Sequence, residues 1–457
     1  MNLEKALHHY FGYTSFRPGQ KEIIAPILEG ESVFGMLPTG TGKTLCYQLA
    51  GYLMEGTVLI ISPLISLMED QVTQLSLNGE KRGIALNSLL SKGEKQFVLR
   101  HLASYKFVFM SPEMFLAEPV QTALKQLKVA FLVVDEAHCI SQWGVDFRPE
   151  YLKLAEGIQQ LNISPVLALT ATATQAVRGD IQHLLFQRSV KEVIHPVDRP
   201  NIRLFVRQGE KMQQLNALVS SLSGAGIIYC ATRKQVERIY HAIKQSESVA
   251  YYHGGLTGQE RRMLQQQFLT GKLRLLIATN AFGMGINKED IRFVIHYDLP
   301  ASPEDYLQEI GRAGRDGKTS QAILLYNEGD EKIHYFLQNQ TAEAKRLFQT
   351  KQKEAIQEPL VQKWQHFFAD RSDELLQLLE RKEKTKHNQL KSMLAYIQTE
   401  NCRREFLIHY FDQQLIRKPQ VCCDLDHAEL IEDYTQIQKE QEVASWQSIL
   451  KKLVKIK

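Results

Sequence analysis

Val33-Phe34-Gly35-Met36-Leu37-Pro38-Thr39-Gly40-Thr41-Gly42-Lys43-Thr44 carries a short apolar stretch into a glycine-rich turn, and a helical pattern follows over residues 45–53. A strand that feeds a helix through such a turn is the local signature of a phosphate-binding loop. The glycines let the backbone curl round an anion. The amides of Thr39, Gly40, Thr41 and Gly42 then face it, together with the helix N-terminus. Lys43 is placed to reach β- and γ-phosphates, and the Thr44 hydroxyl to ligate Mg²⁺. The strict form of the loop has glycine where this chain has Leu37, so the match is to a looser form. A glycine-rich turn without ligand is the alternative. The strand–loop–helix setting and the Gly-Lys-Thr triplet favour phosphate.

Outward from this loop, short apolar runs alternate with longer mixed segments. Candidate buried strands are residues 33–36, 58–61, 107–110, 131–135 and 166–169, then 227–230, 249–252, 273–278, 293–297 and 322–326. Continuous apolar strands separated by helical patterns predict parallel sheets covered on both faces. Two such sets predict an α/β fold with two domains and a linker near Arg199-Pro200-Asn201. All 27 glycines lie at or before Gly329. Turns with φ > 0 draw on glycine most often, so the stretch beyond should be mainly helical. Near its end Val443, Trp446, Leu450, Leu453 and Val454 share one helical stripe before a lysine-rich terminus. A packed terminal helix with a solvated basic end is the expectation, and a DNA or partner contact the alternative. The expected division is 1–200, 201–335, 336–430 and a tail over 431–457.

The 457 residues include 55 Lys and Arg against 51 Asp and Glu, a net charge of +4. That total does not announce a nucleic-acid partner, although a neutral sum can hide a basic groove. No run of about 18 apolar residues is present, and the N-terminus lacks the apolar core of a signal peptide. The expectation is a cytoplasmic protein without membrane contact. Six thinly spread cysteines fit a reducing compartment better than a disulfide framework.

Asp135-Glu136-Ala137-His138 closes the apolar run 131–134. Carboxylates at the carboxyl end of a parallel strand face the usual ligand crevice. Asp135 is the candidate Mg²⁺ ligand, directly or through water, and Glu136 the group that orients or deprotonates an attacking water. An acidic helix N-terminus is the alternative. In the second half, Gly311-Arg312-Ala313-Gly314-Arg315-Asp316-Gly317 sets two arginines three apart between glycines. Arginine pairs with phosphate in a fixed fork and offsets charge building on the γ-phosphoryl. In isolation this motif would read as a salt-bridged surface turn. The first half shows no arginine of this kind near its loop. The expectation is an ATP site between the two domains, completed from the second, whose closure moves one domain against the other.

This order of motifs resembles superfamily 2 helicases and, within them, the RecQ family of DNA helicases, over about residues 3–415. The carriers are Phe11-Gly12-Tyr13 with Phe16-Arg17-Pro18-Gly19-Gln20, the phosphate loop, Ser62-Pro63-Leu64-Ile65-Ser66-Leu67-Met68, Ser111-Pro112-Glu113 and the acidic tetrad. Cys139-Ile140-Ser141-Gln142-Trp143-Gly144, Phe147-Arg148-Pro149-Glu150-Tyr151, Leu169-Thr170-Ala171-Thr172-Ala173, the stretch Ala278 to Ile286 and the paired arginines complete the set. The resemblance implies two RecA-like domains with a mostly helical C-terminal region. It implies that Gln20 reads the adenine edge, that Tyr13 and Arg17 pack near the base, and that Gln308, Arg312 and Arg315 reach the phosphates. Residues 141–151 look like the family's aromatic-rich loop. There Trp143 and Phe147 offer faces on which unpaired bases stack, at about 1–3 kcal/mol per base, and Arg148 adds phosphate or stacking contact. A wholly buried loop is the alternative, disfavoured by Gln142 and Asp146. Val145 stands where the family usually carries histidine. Ser62, Arg233, Thr172 and Thr279 are implied contacts to a single strand's backbone, which position it without reading sequence. Sequence-tolerant, salt-dependent binding follows.

The family's zinc module has four cysteines. Here Cys402-Arg403-Arg404 matches its first part, but the later cluster reads Cys422-Cys423-Asp424-Leu425-Asp426-His427. A Zn²⁺ set of Cys402, Cys422, Cys423 and His427 is open, with Asp426 as substitute, and reduced structural cysteines are the preferred alternative. The residues after His427 are too few for the winged helix of longer relatives. The resemblance implies an ATP- and Mg²⁺-dependent 3′-to-5′ DNA helicase, monomeric, acting on single-stranded and tailed or forked duplex DNA, with a single-strand-binding protein as partner. An RNA-directed helicase, or a translocase that does not unwind, is the runner-up.

Overall fold

The computed structural model describes residues 2–142, 149–186, 190–244, 248–282, 288–350, 359–368 and 371–432. Strands β1 (Val33–Met36), β2 (Thr57–Ile61), β3 (Gly83–Leu86), β4 (Phe107–Met110), β5 (Val129–Val134), β6 (Val166–Thr170) and β7 (Lys191–Ile194) form one sheet. Its order is β3-β4-β2-β5-β6-β1-β7. Strands β8 (Ile202–Gln208), β9 (Ala225–Tyr229), β10 (Val249–Tyr252), β11 (Leu275–Ala278), β12 (Ile291–His296) and β13 (Ser320–Tyr326) form the second, in the order β10-β11-β9-β12-β13-β8. Every pairing within the two sheets is parallel.

Inner strands β1, β2, β4 and β6 are buried along their whole length. Alternate side chains serve opposite faces, as the pleat requires. Val33, Val58 and Ile60 pack with Ile23, Tyr47 and Leu49, whereas Phe34, Leu59 and Ile61 join a second core with Ile140 and Ile158. That second core continues through Val197, Ile202 and Leu307 to Leu407 and Phe411. The seam between the sheets is therefore apolar and continuous with the C-terminal helices.

The ten runs expected from the sequence are all strands. The three strands it missed, β3, β7 and β8, all lie at sheet edges. An edge strand needs a shorter apolar run because part of it meets solvent. In β7 only Val193 is buried. The free side of β8 is covered by a later segment: Leu204 N donates to Cys422 O (3.2 Å) and Val206 N to Asp424 Oδ2 (2.9 Å).

Beyond Gly329 the described residues form helices Lys332–Thr350, Pro359–Phe368, Ser372–Gln398 and Arg403–Tyr410. Trp364, Val361, Phe368, Leu375 and Leu379 make a small core of their own among them. The helical stripe from Val443 to Val454 lies outside the described residues.

Gly226, in β9 at the middle of the second sheet, tests the packing. A Cβ there would meet the Phe293 ring at 2.1 Å. Gly226→Ala should cost about 1–3 kcal/mol through overpacking, read as a lowered thermal midpoint in calorimetry.

Candidate active site between the two sheets

The phosphate loop leaves β1 and enters helix Lys43–Leu53. Gly40 (φ 88°) and Gly42 (φ 81°) take the left-handed backbone that a side chain would strain. Leu37, at the strict loop's glycine position, is fully buried in the core. Gln20 donates through Nε2 to Thr41 O (2.9 Å) and Gly42 O (3.2 Å), and its Oε1 accepts from Arg17 N (2.9 Å). Arg17 Nη1 donates to Gly40 O at 2.5 Å. Tyr13, 56% exposed, lines the same cleft of about 330 Å³.

Asp135 follows the last residue of β5, and its Oδ1 accepts from Glu136 N (2.9 Å). Burial, and next to it the neighbouring Glu136 carboxylate, push the Asp135 carboxyl up to about 7. A bound cation would oppose that shift. Burial alone would raise Glu136 too. The combined pull of Lys43, His138, Arg312 and Arg315 instead holds it below the usual carboxylate range, so it is ionised at neutral pH. Glu136 sits at φ 49°, a strained value for its residue type. Its Oε2 lies 3.4 Å from His138 Nδ1, which is 2.9 Å from Thr170 Oγ1. Thr170 Oγ1 in turn donates to Thr172 O (3.0 Å).

The opposite wall comes from helix Pro303–Ile310 and the turn after it. Gln308, Arg312 and Arg315 face the cleft. Burial, then the nearby Arg312 and Arg199, push the Arg315 guanidinium down to about 9. Lys43, Arg312 and Arg315 thus bring three cations to two carboxylates in a low-dielectric seam. Such a site is prepared for an anion with several charged oxygens.

The structure brings Lys43, Thr44, Asp135, Glu136, Gln308, Arg312 and Arg315 together around one cleft. Two arginines of the first half also reach the loop, where they hold its backbone carbonyls. Arg17 reaches it from upstream, and Arg199 donates from the linker to Thr39 O (2.7 Å). Folding, not spacing in sequence, delivers both. The His138–Thr170 link was also missed, because the two residues lie 32 positions apart.

The strand-contact candidates divide. Ser62, Thr172 and Thr279 are buried at or just beyond the carboxyl ends of β2, β6 and β11, and Arg233 is exposed at the start of helix Arg233–Ile243. Trp143, Val145, Phe147 and Arg148 lie outside the described residues. Their segment is framed by helix Cys139–Gln142 and the turn Pro149–Lys153.

In the C-terminal region, Cys402, Cys422, Cys423 and Asp426 place one donor atom each within 4.8 Å of one another. Cys402 Sγ and Cys422 Sγ are 3.5 Å apart, and Cys423 Sγ donates to Asp426 Oδ2 at 3.1 Å. His427 is not in this cluster, which corrects the set containing it. A 3₁₀ turn over Asp424–Asp426, closed by Asp426 N to Cys423 O (3.0 Å), folds Asp426 back onto the thiol. His427 is left exposed at φ 57°.

Comparison with known proteins agrees with this geometry. The DEAD/DEAH box helicase family matches residues 17–179, the helicase conserved C-terminal domain residues 210–317, and the RecQ zinc-binding family residues 361–427. The probable ATP-dependent DNA helicase RecS of Bacillus subtilis is 43% identical over 417 residues, covering 90% of this chain and 79% of that protein. The chain belongs to the RecQ family of ATP-dependent DNA helicases. The RecQ helicase of Pasteurella multocida is 45% identical over 329 residues, 71% of this chain and 52% of that one. The chain therefore spans about half of that relative's length. The fold is the paired RecA-like one of helicases. Saccharomyces cerevisiae Dbp5 bound to RNA and ADP BeF₃ superimposes with a TM-score of 0.59 at 21% identity, over 74% of this chain and 90% of that one. Among the described residues no helix is long and apolar enough to cross a membrane.

The donor set of this RecQ-family chain fits zinc. Tetrahedral zinc with Zn–S bonds of about 2.3 Å sets sulfurs about 3.8 Å apart, close to the 3.5 Å found between Cys402 and Cys422. For a zinc held here, metal analysis after dialysis should find one zinc per chain. Cys422→Ser and Asp426→Ala should lose it to a chelator, and His427→Ala should keep it.

Proposed function

We propose that this chain translocates 3′ to 5′ along single-stranded DNA at the expense of ATP and unwinds tailed or forked duplexes in replication, recombination or repair. The observation that carries the reading is the cleft. It sets Lys43, Asp135 and Glu136 of the first sheet against Arg312 and Arg315 of the second. In this reading the loop amides of residues 39–42 and Lys43 bind the phosphates, and Thr44 and Asp135 hold Mg²⁺, which neutralises charge on the phosphate oxygens. Glu136, ionised, orients the attacking water and accepts its proton. Arg312 and Arg315 offset charge on the departing γ-phosphoryl. Gln308 assists from the second wall. Gln20, Arg17 and Tyr13 receive the base at the other end of the cleft, Gln20 by releasing its present hold on the loop carbonyls. Hydrolysis then alternately closes and opens the seam, and each cycle shifts grip on the strand.

The strand is assigned to Ser62, Thr172, Thr279, Arg233 and the segment with Trp143, Phe147 and Arg148. Binding then tolerates sequence and weakens with salt. The division 1–200, 201–335, 336–430 and 431–457, a zinc at the thiol cluster, a monomeric cytoplasmic protein and a single-strand-binding partner belong to the same reading.

The test is ATP-driven release of matched duplexes carrying a 3′ or a 5′ single-stranded tail. Only the 3′-tailed duplex should be released, and Lys43→Ala should abolish release. Arg312→Ala should lower kcat for ATP by about 10²–10³-fold, the scale of losing one charge-stabilising donor. DNA-stimulated hydrolysis without strand release would identify a translocase that does not unwind. Preferential release of RNA duplexes would move the substrate to RNA.

A further inference from the structure

The linker between the sheets carries a side chain that the cleft does not expose and the scheme above does not use. Arg199 lies between the end of β7 and the start of β8. Its Nη1 donates to Thr39 O (2.7 Å) and Gly311 O (3.1 Å), and its Nη2 to Ala313 O (3.0 Å) and Gly314 O (2.7 Å). One acceptor is the first residue of the phosphate loop. The other three flank Arg312 on either side. One guanidinium thus joins the two halves of the cleft through backbone carbonyls alone.

The surroundings leave little freedom for this contact to slip. Asn201 Nδ2 donates to Gly314 O (2.8 Å) and Lys318 O (2.9 Å), pinning the same turn from the same linker. A Cβ at Gly311 would meet Thr39 Cβ at 3.0 Å, and one at Gly40 would meet Arg199 Nη1 at 3.3 Å, so the two loops already touch. From behind, Arg404 pairs with Asp198 Oδ1 (2.5 Å), donates to Arg199 O (2.9 Å) and reaches Ile202 O.

We propose that Arg199 is a positioning residue for ATP hydrolysis, a clasp that sets the Arg312–Arg315 turn at its working distance from the phosphate loop. The planar fork is what spans four carbonyls; a lysine ammonium at one point cannot. The clasp touches neither substrate nor metal, so its loss should misplace the second wall while leaving the first wall's nucleotide contacts in place. A displacement of about 1 Å at the chemistry costs on the order of 10²-fold in rate.

The inference rests on the reading of Arg312 as a γ-phosphoryl contact, and a double-mutant cycle separates the two. Full-length wild type, Arg199→Ala, Arg312→Ala and the double variant are compared for kcat and KM of DNA-stimulated ATP hydrolysis. Affinity for a fluorescent ADP and the thermal midpoint are measured alongside. Arg199→Ala should lower kcat by about tenfold or more, with ADP affinity within about twofold of wild type. In the Arg312→Ala background the same change should cost clearly less than it does alone, because only Arg315 remains to be positioned. Losses that multiply in the double variant, a wild-type kcat for Arg199→Ala, or ADP affinity that falls in step with kcat would each overturn the clasp. A wild-type kcat for Arg312→Ala would instead overturn the reading beneath it. If Arg199→Ala does not fold, Arg199→Lys runs the same cycle under the same criteria.

Discussion

Three cations and two carboxylates converge around the cleft where the two sheets meet. Lys43, Arg312 and Arg315 repel one another across a largely buried cleft, and Asp135 and Glu136 only partly offset them. Such an arrangement does not assemble for its own stability, since taking several like charges out of water is costly. It is held by what surrounds it. The continuous core from Phe34 and Val134 through Leu307 to Leu407 fixes the sheets' approach. The loops that carry the charges are then clamped through backbone carbonyls. The core meets the cost of the poised charges, and a polyphosphate with its cation relieves it.

The C-terminal region is part of that holding structure. Residues 422–424 cover the open edge of β8, and Arg403 pairs with Asp424 (2.5 Å) while Arg404 pairs with Asp198. The thiol cluster, the sheet edge and the linker are therefore adjacent features of one packing arrangement. Whatever keeps Cys402, Cys422, Cys423 and Asp426 together also keeps Arg404 against the linker, because Arg404 Nε lies 3.2 Å from Cys422 Sγ.

Most of this was legible in the sequence where chemistry is local. The phosphate loop, the acidic tetrad and the paired arginines each declare themselves within about seven residues, because backbone geometry and side-chain role are set by near neighbours. Inner strands were legible because both faces are buried. The edges β3, β7 and β8 were not, since a strand such as Lys191–Ile194 with one buried side chain has no apolar run to show. Read from sequence, His427 is the fourth ligand, with Asp426 as substitute. A single 3₁₀ turn decided otherwise, and no spacing rule contains that turn. Arg17 and Arg199 escaped notice as loop arginines because the chain brings them in from 23 and 160 residues away.

Position 145 carries valine, and among the described residues a row of polar groups runs behind Glu136 without passing through it. Glu136 Oε2 lies 3.4 Å from His138 Nδ1 without a hydrogen bond, His138 Nδ1 is hydrogen-bonded to Thr170 Oγ1, and Thr170 Oγ1 donates to Thr172 O while accepting from Thr172 N at 3.3 Å. Burial lowers the pKa of His138, so its ring is neutral near pH 7. Both Glu136 and Thr170 face its Nδ1, so the two share one ring nitrogen. A chain of hydrogen bonds is not by itself coupling; coupling needs an element with two arrangements that both ends bias. Thr172 lies beside the linker and Arg312 across it. Loss of the Arg312 and Arg315 charges removes part of what holds the Glu136 carboxylate ionised. The electrostatic balance at Glu136 therefore depends on where the second wall stands.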